Sequence, residues 1–264
     1  MNLRIVDTLT DWAFVGSPLV TAVILGCHTH TLSWIRFFRK KDAVWLRKHV
    51  SCAQLFWTDF TFRCARHILR PSVVMDMDLE TERIIRSNPV LIISNHQRSL
   101  DISFIAWFLR RYGHKDLRWI IKKGIERWLF VGRSCRLSGC AFVHRDHAKP
   151  KQDFVIVRDC AISASMEQAS VVIFPEGTRF KNADPSSSYH HVHSPHPAGV
   201  AILYKHLPHH AVCSLTLCHE MCDHRRMLYV RVRTISRSEI GSDVRSWLAH
   251  EWECKEAFIA QKYL

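Results

Sequence analysis

Glycine and proline are scarce, nine of each in 264 residues. That excludes a collagen-like chain or a Pro/Gly-rich low-complexity one. Acidic residues are in deficit as well: 24 Asp and Glu stand against 37 Lys and Arg, for a formal net charge of +13. Such a balance calls for an anionic partner, which leaves nucleic acid, an anionic bilayer and a phosphorylated substrate open. G-x-G-x-x-G and P-loop patterns are missing, so nucleotide chemistry is not signalled. G-x-S-x-G is missing too, so no nucleophilic serine is announced. No internal repeat is visible. What is present is enough oil for a real core, 47% apolar residues against 23% charged, in a length that suits one large domain or two small ones. The ten cysteines, scattered from Cys27 to Cys254, form no compact disulfide framework. They read as reduced thiols, small buried hydrophobes of a cytosol-facing protein.

Residues Trp12 to Cys27 carry no charge. As a helix they would reach about 24 Å, short of the roughly 30 Å hydrocarbon core. Continuing to Trp34 supplies the length but takes in His28 and His30. Basic residues follow this stretch instead of preceding it, the reverse of a cleaved signal peptide. Trp34 to Lys41 then mixes aromatics with Arg36, Arg39, Lys40 and Lys41, a texture suited to an anionic lipid surface. A spanning helix and half of a shallow hairpin both remain open. With only Arg4 ahead of the greasy stretch, the charge asymmetry predicts that the remainder faces the cytoplasm. Residues 42–70 have apolar positions at helical spacing (Val44, Leu46, Val50, Leu55, Phe56), carry Trp57 and Phe60, and break at Pro71. Residues 1–70 are therefore expected to be a membrane-associated helical arm and residues 71–264 an α/β domain.

Beyond Pro71, short apolar runs alternate with helical patterns. Strands are predicted at Val73–Met77, Val90–Ile93, Trp119–Ile121, Cys140–Val143, Val171–Phe174, Val212–Leu217 and Leu228–Thr234. Helices are predicted near 100–112, 125–137, 152–168, 197–206 and 242–262. Strands apolar on both faces and separated by helices imply a mixed, largely parallel sheet covered on both sides.

The chemistry centres on Ser94-Asn-His-Gln-Arg-Ser-Leu-Asp101. A buried strand, VLIIS, ends there and a helical pattern begins. Within one helix His96 and Asp101 would lie about 140° apart. They meet only if His96 is on the turn and Asp101 in the first helical turn, with Ser99 as N-cap. Asp101 would then accept one imidazole proton and leave the other nitrogen free to deprotonate a hydroxyl. Of the 18 histidines only His96 has an aspartate five positions on. For this pair alone, a capped turn and a catalytic site both stay open. A second strand runs into Val171-Val-Ile-Phe-Pro-Glu-Gly-Thr-Arg179. There Gly177 lets backbone amides approach an anion, and Arg179 offers a bidentate fork for phosphate. Glu176 could hold a neighbouring arginine or a substrate hydroxyl. An ordinary strand-end turn would look the same.

N-H-x4-D followed some 75–80 residues later by F-P-E-G-T-R resembles the glycerophospholipid acyltransferase family typified by 1-acylglycerol-3-phosphate acyltransferase. The likeness runs from about residue 72 to 235. It includes Lys122-Lys-Gly-Ile-Glu-Arg-Trp-Leu-Phe-Val-Gly132 and Gly139-Cys-Ala-Phe-Val-His-Arg145, which is similar to the family's lysine segment followed by a strand ending in arginine. The resemblance implies a membrane-bound enzyme moving a fatty acyl group from acyl-CoA or acyl carrier protein to a lysophospholipid hydroxyl. Lysophosphatidic acid is the first acceptor to expect. His96 would be the base and Asp101 its orienter. Lys122, Arg145 and Arg179 would hold the phosphate, with Glu176, Gly177 and Thr178 completing the substrate site. No metal or cofactor beyond the thioester is implied. The long loop after FPEGTRF-K and Pro197-Ala-Gly199 are closer to the lysocardiolipin-type and longer-loop bacterial subgroup. The chain departs from the family pattern at Gly124, where glutamate is usual, and at Leu129, where proline is frequent. Ala211–Leu217 also lacks the customary proline. Lysophosphatidylglycerol, lysocardiolipin or an amino-acid lipid therefore stay open as acceptors.

Other constellations are weaker. His190, His191, His193 and His196 match no compact zinc spacing and read as a solvated loop. His219 and His224 approach H-E-x-x-H but sit one residue too far apart to share a helix face. A non-catalytic basic membrane- or RNA-binding protein is the remaining class, and nucleic acid is disfavoured because no RNA-recognition motif is present. The C-terminal helix reads as an amphipathic cover.

Overall fold

Val90–Ser94 is buried at every position, and Ser170–Ile173 likewise. A strand with no wet face must lie inside a sheet covered on both sides. In the computed structural model, which describes residues 23–37, 42–145, 150–181, 188–222 and 225–263, that is where both strands sit. The helices are α1 (23–37), α2 (Ala43–Leu69), α3 (Leu79–Ser87), α4 (Leu100–Arg111), α5 (Val131–Leu137), α6 (Pro150–Glu167), α7 (Pro197–His206), α8 (Arg237–Ile240) and α9 (Val244–Ala260). The strands are β1 (Ser72–Asp76), β2 (Val90–Ser94), β3 (Leu117–Lys122), β4 (Ala141–Val143), β5 (Ser170–Ile173), β6 (Ala211–Cys222) and β7 (Arg225–Ile235). They form one sheet in the order β1-β7-β6-β2-β5-β3-β4. Every pairing is parallel except the β6–β7 hairpin.

Alternation along β2 shows how the layers divide. Val90 and Ile92 join Phe62 of α2 and Phe104, Ile105 and Phe108 of α4 on one face. Leu91 and Ile93 join α6, α7 and α9 on the other, with Ala161, Leu203 and Trp252 fully buried. The mixed, mostly parallel sheet with helices on both sides is thus as its sequence pattern predicts.

Residues 43–69 form one helix with an inner side packed on the sheet. Asp42 caps α2 through Trp45 N (2.6 Å), and Leu55 and Phe62 lie in the same core as the sheet. Phe62 packs against Phe104 (5.5 Å) and Trp107 (5.2 Å) of α4. Helix α2 ends at Arg70 in the left-handed region (φ 45°) just before Pro71. Its outer side still exposes Val44, Phe56, Phe60 and Ile68. Of Trp12–Cys27 only 23–27 fall within the described residues, and residues 38–41 fall outside them. Among the described residues no helix is long and apolar enough to cross a membrane.

The helix expected over 125–137 is broken in two. A 3-10 turn, Lys123–Arg127, is followed by Trp128, Leu129 and Phe130 before α5 begins. Gly132 explains the tight junction, because a Cβ there would lie 2.1 Å from the Glu126 carbonyl oxygen. Helix α3 is absent from the predicted helices because it is short and mostly polar: of its nine residues only Thr81 and Ile85 are buried. Its exposed face is held by Arg83–Glu80 and Arg86–Glu82 pairs and by an Asp78 cap on Thr81 N (2.6 Å).

Candidate active site

Strands β2, β5, β3 and β4 run parallel, so their C-terminal ends share one edge. That edge is the usual position for a site in an α/β sheet. His96 leaves β2 there, Glu176 to Arg179 leave β5, Lys122 ends β3 and Arg145 follows β4.

His96 Nδ1 is 2.9 Å from Asp101 Oδ2. The same oxygen accepts the backbone N–H groups of Gln97 (2.7 Å) and Arg98 (2.8 Å), so the carboxylate folds the connecting turn back upon itself. Asp101 is fully buried and His96 is 12% exposed. Carboxylate oxygens only accept, so His96 presents Nδ1–H to Asp101, and a neutral ring in that orientation keeps its lone pair at Nε2, the tautomer a base needs. Phe174 stacks on the imidazole at 4.2 Å and 19°, and Trp119 stacks behind Phe174 at 6.3 Å. These rings fix the plane of the imidazole. Ser99 is not the cap expected of it, since its side chain makes no capping bond. Its hydroxyl instead accepts from Arg179 Nη1 at 2.5 Å.

Sequence spacing missed a third partner. His219, on β6, places Nε2 2.6 Å from Asp101 Oδ1. Burial disfavours the Asp101 charge, but His219 and His96, through charge and hydrogen bonds, outweigh it and hold the carboxyl well below the usual range. The signal available was strand alternation: Cys213, Leu215 and Leu217 face α4's side of the core, and His219 continues that stripe.

The β5 loop is tied to the histidine loop directly, since Phe180 N donates to His96 O at 2.7 Å. Gly177 adopts φ +71°, and a Cβ there would come within 3.8 Å of Arg145 Cδ, so Arg145 lies against the Glu176–Arg179 turn. Arg145 is itself left-handed (φ 59°) and is anchored by its backbone N–H to Asp153 Oδ2 (2.8 Å). Thr178 and Arg179 are exposed on the turn. Lys122 is exposed at the same edge, with no hydrogen bond or ion pair to the others. Glu176 differs from its neighbours in being buried, with neither carboxyl oxygen hydrogen-bonded. Burial pushes it up to about 8, against weaker opposing effects of the His96 and His193 backbone and of Lys255. At neutral pH it is mostly a neutral acid.

The C-terminal helix is more than a cover. Lys255, fully buried, donates to Ser214 Oγ (2.7 Å), Leu215 O (2.8 Å) and Thr216 Oγ1 (3.2 Å), and burial lowers it to about 8. Glu256 accepts the backbone N–H groups of His190, His191 and Val192. His191 stacks on Tyr263 and His193 packs on Phe180. The described part of the histidine loop is therefore a pinned wall beside the site.

A yeast protein, the 1-acyl-sn-glycerol-3-phosphate acyltransferase of Saccharomyces cerevisiae, is 27% identical over 119 residues, 45% of this chain. The match spans only 37% of that relative's length. Among solved structures, the 1-acyl-sn-glycerophosphate (LPA) acyltransferase PlsC of Thermotoga maritima superposes with a TM-score of 0.54 at 17% identity, covering 92% of this chain and 97% of that one, a likeness of fold. The model of the family described as Acyltransferase matches residues 77–215, a segment that holds the histidine–aspartate turn, the cationic edge and the Glu176–Arg179 loop, and the chain belongs to that family.

Proposed function

We propose that the chain transfers a fatty acyl group from a thioester, acyl-CoA or acyl carrier protein, to the free hydroxyl of 1-acylglycerol-3-phosphate, yielding phosphatidic acid. The observation that carries this is a buried Asp101 bound to His96 Nδ1 at a sheet edge that also bears Lys122, Arg145 and Arg179. His96 Nε2 takes the acceptor's hydroxyl proton as its oxygen attacks the thioester carbonyl. The tetrahedral oxyanion is stabilised by backbone N–H groups near the Glu176–Arg179 turn. Its collapse breaks the C–S bond, and the leaving thiolate recovers the proton from His96. Arg145 and Arg179 grip the acceptor phosphate, with Lys122 completing a cationic edge. Gly177 and Thr178 shape the turn, and Glu176, buried behind it, helps position the glycerol part of the acceptor.

The same reading puts the enzyme on the cytoplasmic face of a membrane. Helix α1 exposes Val23, Trp34 and Ile35, the junction before α5 exposes Trp128 and Leu129, and α2 exposes Phe56 and Phe60. Aromatic and aliphatic side chains of this kind beside arginines suit the interface of an anionic bilayer. The residues up to 70 are its membrane-associated part and residues 71–264 carry the chemistry. The test is direct. Full-length chain with radiolabelled acyl-CoA or acyl carrier protein and lysophosphatidic acid should form phosphatidic acid, and His96→Ala should lower the rate by about 10²–10⁴-fold while leaving vesicle binding intact. An unchanged rate in His96→Ala would remove the assignment.

A further inference from the structure

His219 is tied down at three points. Its backbone N–H donates to Gln97 Oε1 at 3.0 Å, its carbonyl accepts from Tyr263 Oη at 3.1 Å, and its ring reaches Asp101 Oδ1 at 2.6 Å. Its side chain is 9% exposed. Asp101 therefore has one oxygen for the histidine turn and the other for β6. Without the second contact, Oδ1 would be a buried acceptor with nothing to accept from, and the carboxylate would be held at Oδ2 alone, about which it can turn toward another donor. An ionised carboxylate cannot donate, so the Nε2 of His219 must carry a hydrogen, and a neutral His219 keeps its remaining lone pair on Nδ1.

We propose that His219 is a positioning residue for the acyl transfer proposed above: by holding Asp101 Oδ1 from the neighbouring strand, it fixes the carboxylate in the orientation that aims His96 Nε2 at the acceptor hydroxyl. The inference rests on that reading for the rate it controls, but not for the geometry. His219 reaches the site through Asp101 and touches no reacting atom. Glutamine offers an N–H donor of similar reach without a titrating ring, whereas alanine offers none.

The experiment uses the full chain in detergent or bicelles, as wild type, His219→Ala and His219→Gln. Kinetics with acyl-CoA and lysophosphatidic acid should show kcat in His219→Ala down by about 10–100-fold, the scale of a small misplacement of a catalytic group. The KM for the acceptor should stay within about twofold, and His219→Gln should recover kcat to within about threefold of wild type. Proton NMR supplies a readout independent of turnover. Wild type should give two strongly deshielded imidazole N–H resonances, His219→Gln one and His219→Ala none, because short charge-assisted bonds are the ones that deshield. A kcat within twofold of wild type in His219→Ala, or equal losses in the Ala and Gln variants, would overturn the proposal. So would retention of the His96 resonance in His219→Ala. If wild type acylates no lysolipid yet the resonances fall from two to one to none, the acyl-transfer reading fails and the positioning role stands.

Discussion

Replacing Asp101 with asparagine isolates charge from shape. The amide oxygen can still accept from His96 Nδ1 and from the N–H groups of Gln97 and Arg98, now at 2.9, 2.7 and 2.8 Å. The amide nitrogen can face His219, whose ring, when neutral, can change tautomer and accept. The turn should therefore survive, and what disappears is the negative charge beside an imidazole that, in the proposed reaction, becomes cationic as it takes the substrate proton. Two unit charges about 4 Å apart interact by about 4 kcal/mol at an effective dielectric of about 20. At about 1.4 kcal/mol per decade, kcat in Asp101→Asn should fall about 10³-fold. Initial rates of phosphatidic acid formation over a range of lysophosphatidic acid concentrations measure it, and the acceptor KM should move by less than about threefold. The double variant with His96→Ala should be no slower than His96→Ala alone, since the carboxylate has nothing left to stabilise. Circular dichroism should show the fold retained. A kcat within tenfold of wild type, with the fold intact, would refute the idea that Asp101 works on the charge of His96. The same carboxyl bears on stability. It is held below its ordinary 3.8 in the folded chain, so its contribution is complete above that pH and is lost as pH falls further. Asparagine should remove that acid-side loss.

Arg145→Ala and Arg179→Ala should each raise the acceptor KM by about tenfold or more, since a charge-assisted bond to phosphate contributes about 1.5–3 kcal/mol. An acceptor lacking phosphate should be indifferent to both changes, which steady-state kinetics on the two acceptors would check. Glu176 is raised from 4.5 to about 8 on folding, so the folded chain binds the extra proton across that window and stability declines as pH climbs through it. At about 1.4 kcal/mol per pH unit the ceiling on this loss is roughly 5 kcal/mol. Glu176→Gln should flatten the decline in chemical denaturation between pH 5 and 8, and a parallel decline in both proteins would exclude Glu176 as its source.

Much of the architecture was legible because the strands are extreme. VLIIS and SVVI are apolar but for one serine each and are buried at every position, and only a sheet covered on both faces can bury such runs. All seven predicted strands have counterparts in the sheet. The histidine–aspartate turn was legible from its spacing, since five residues cannot meet on one helix but can meet across a helix start. Elements stabilised from outside their own segment were not legible. The charged face of α3 hides its two buried residues. The break at Trp128–Phe130 follows from the approach of Gly132 to the Glu126 carbonyl, which no propensity reports. The buried Lys255 makes sense only beside Ser214 and Thr216 of β6.

The β6–β7 hairpin shows why the site needed three dimensions. A fully parallel sheet would bring to this edge only residues that end strands, and His96, Lys122, Arg145 and Glu176 are of that kind. Strand β6 pairs with β2 in parallel only as far as Ser94↔Leu215, yet it runs on to Cys222 against its antiparallel partner β7. That overhang carries His219 past the end of β2, level with the turn where the chain has already left the sheet for α4. Residue 219 thereby meets Asp101 across 118 positions of sequence. Among the described residues, the antiparallel partner β7 holds β6 at His219↔Leu228, so a paired strand stands where the other strand ends give way to loops, and a paired strand is the support that keeps a buried carboxylate in one rotamer.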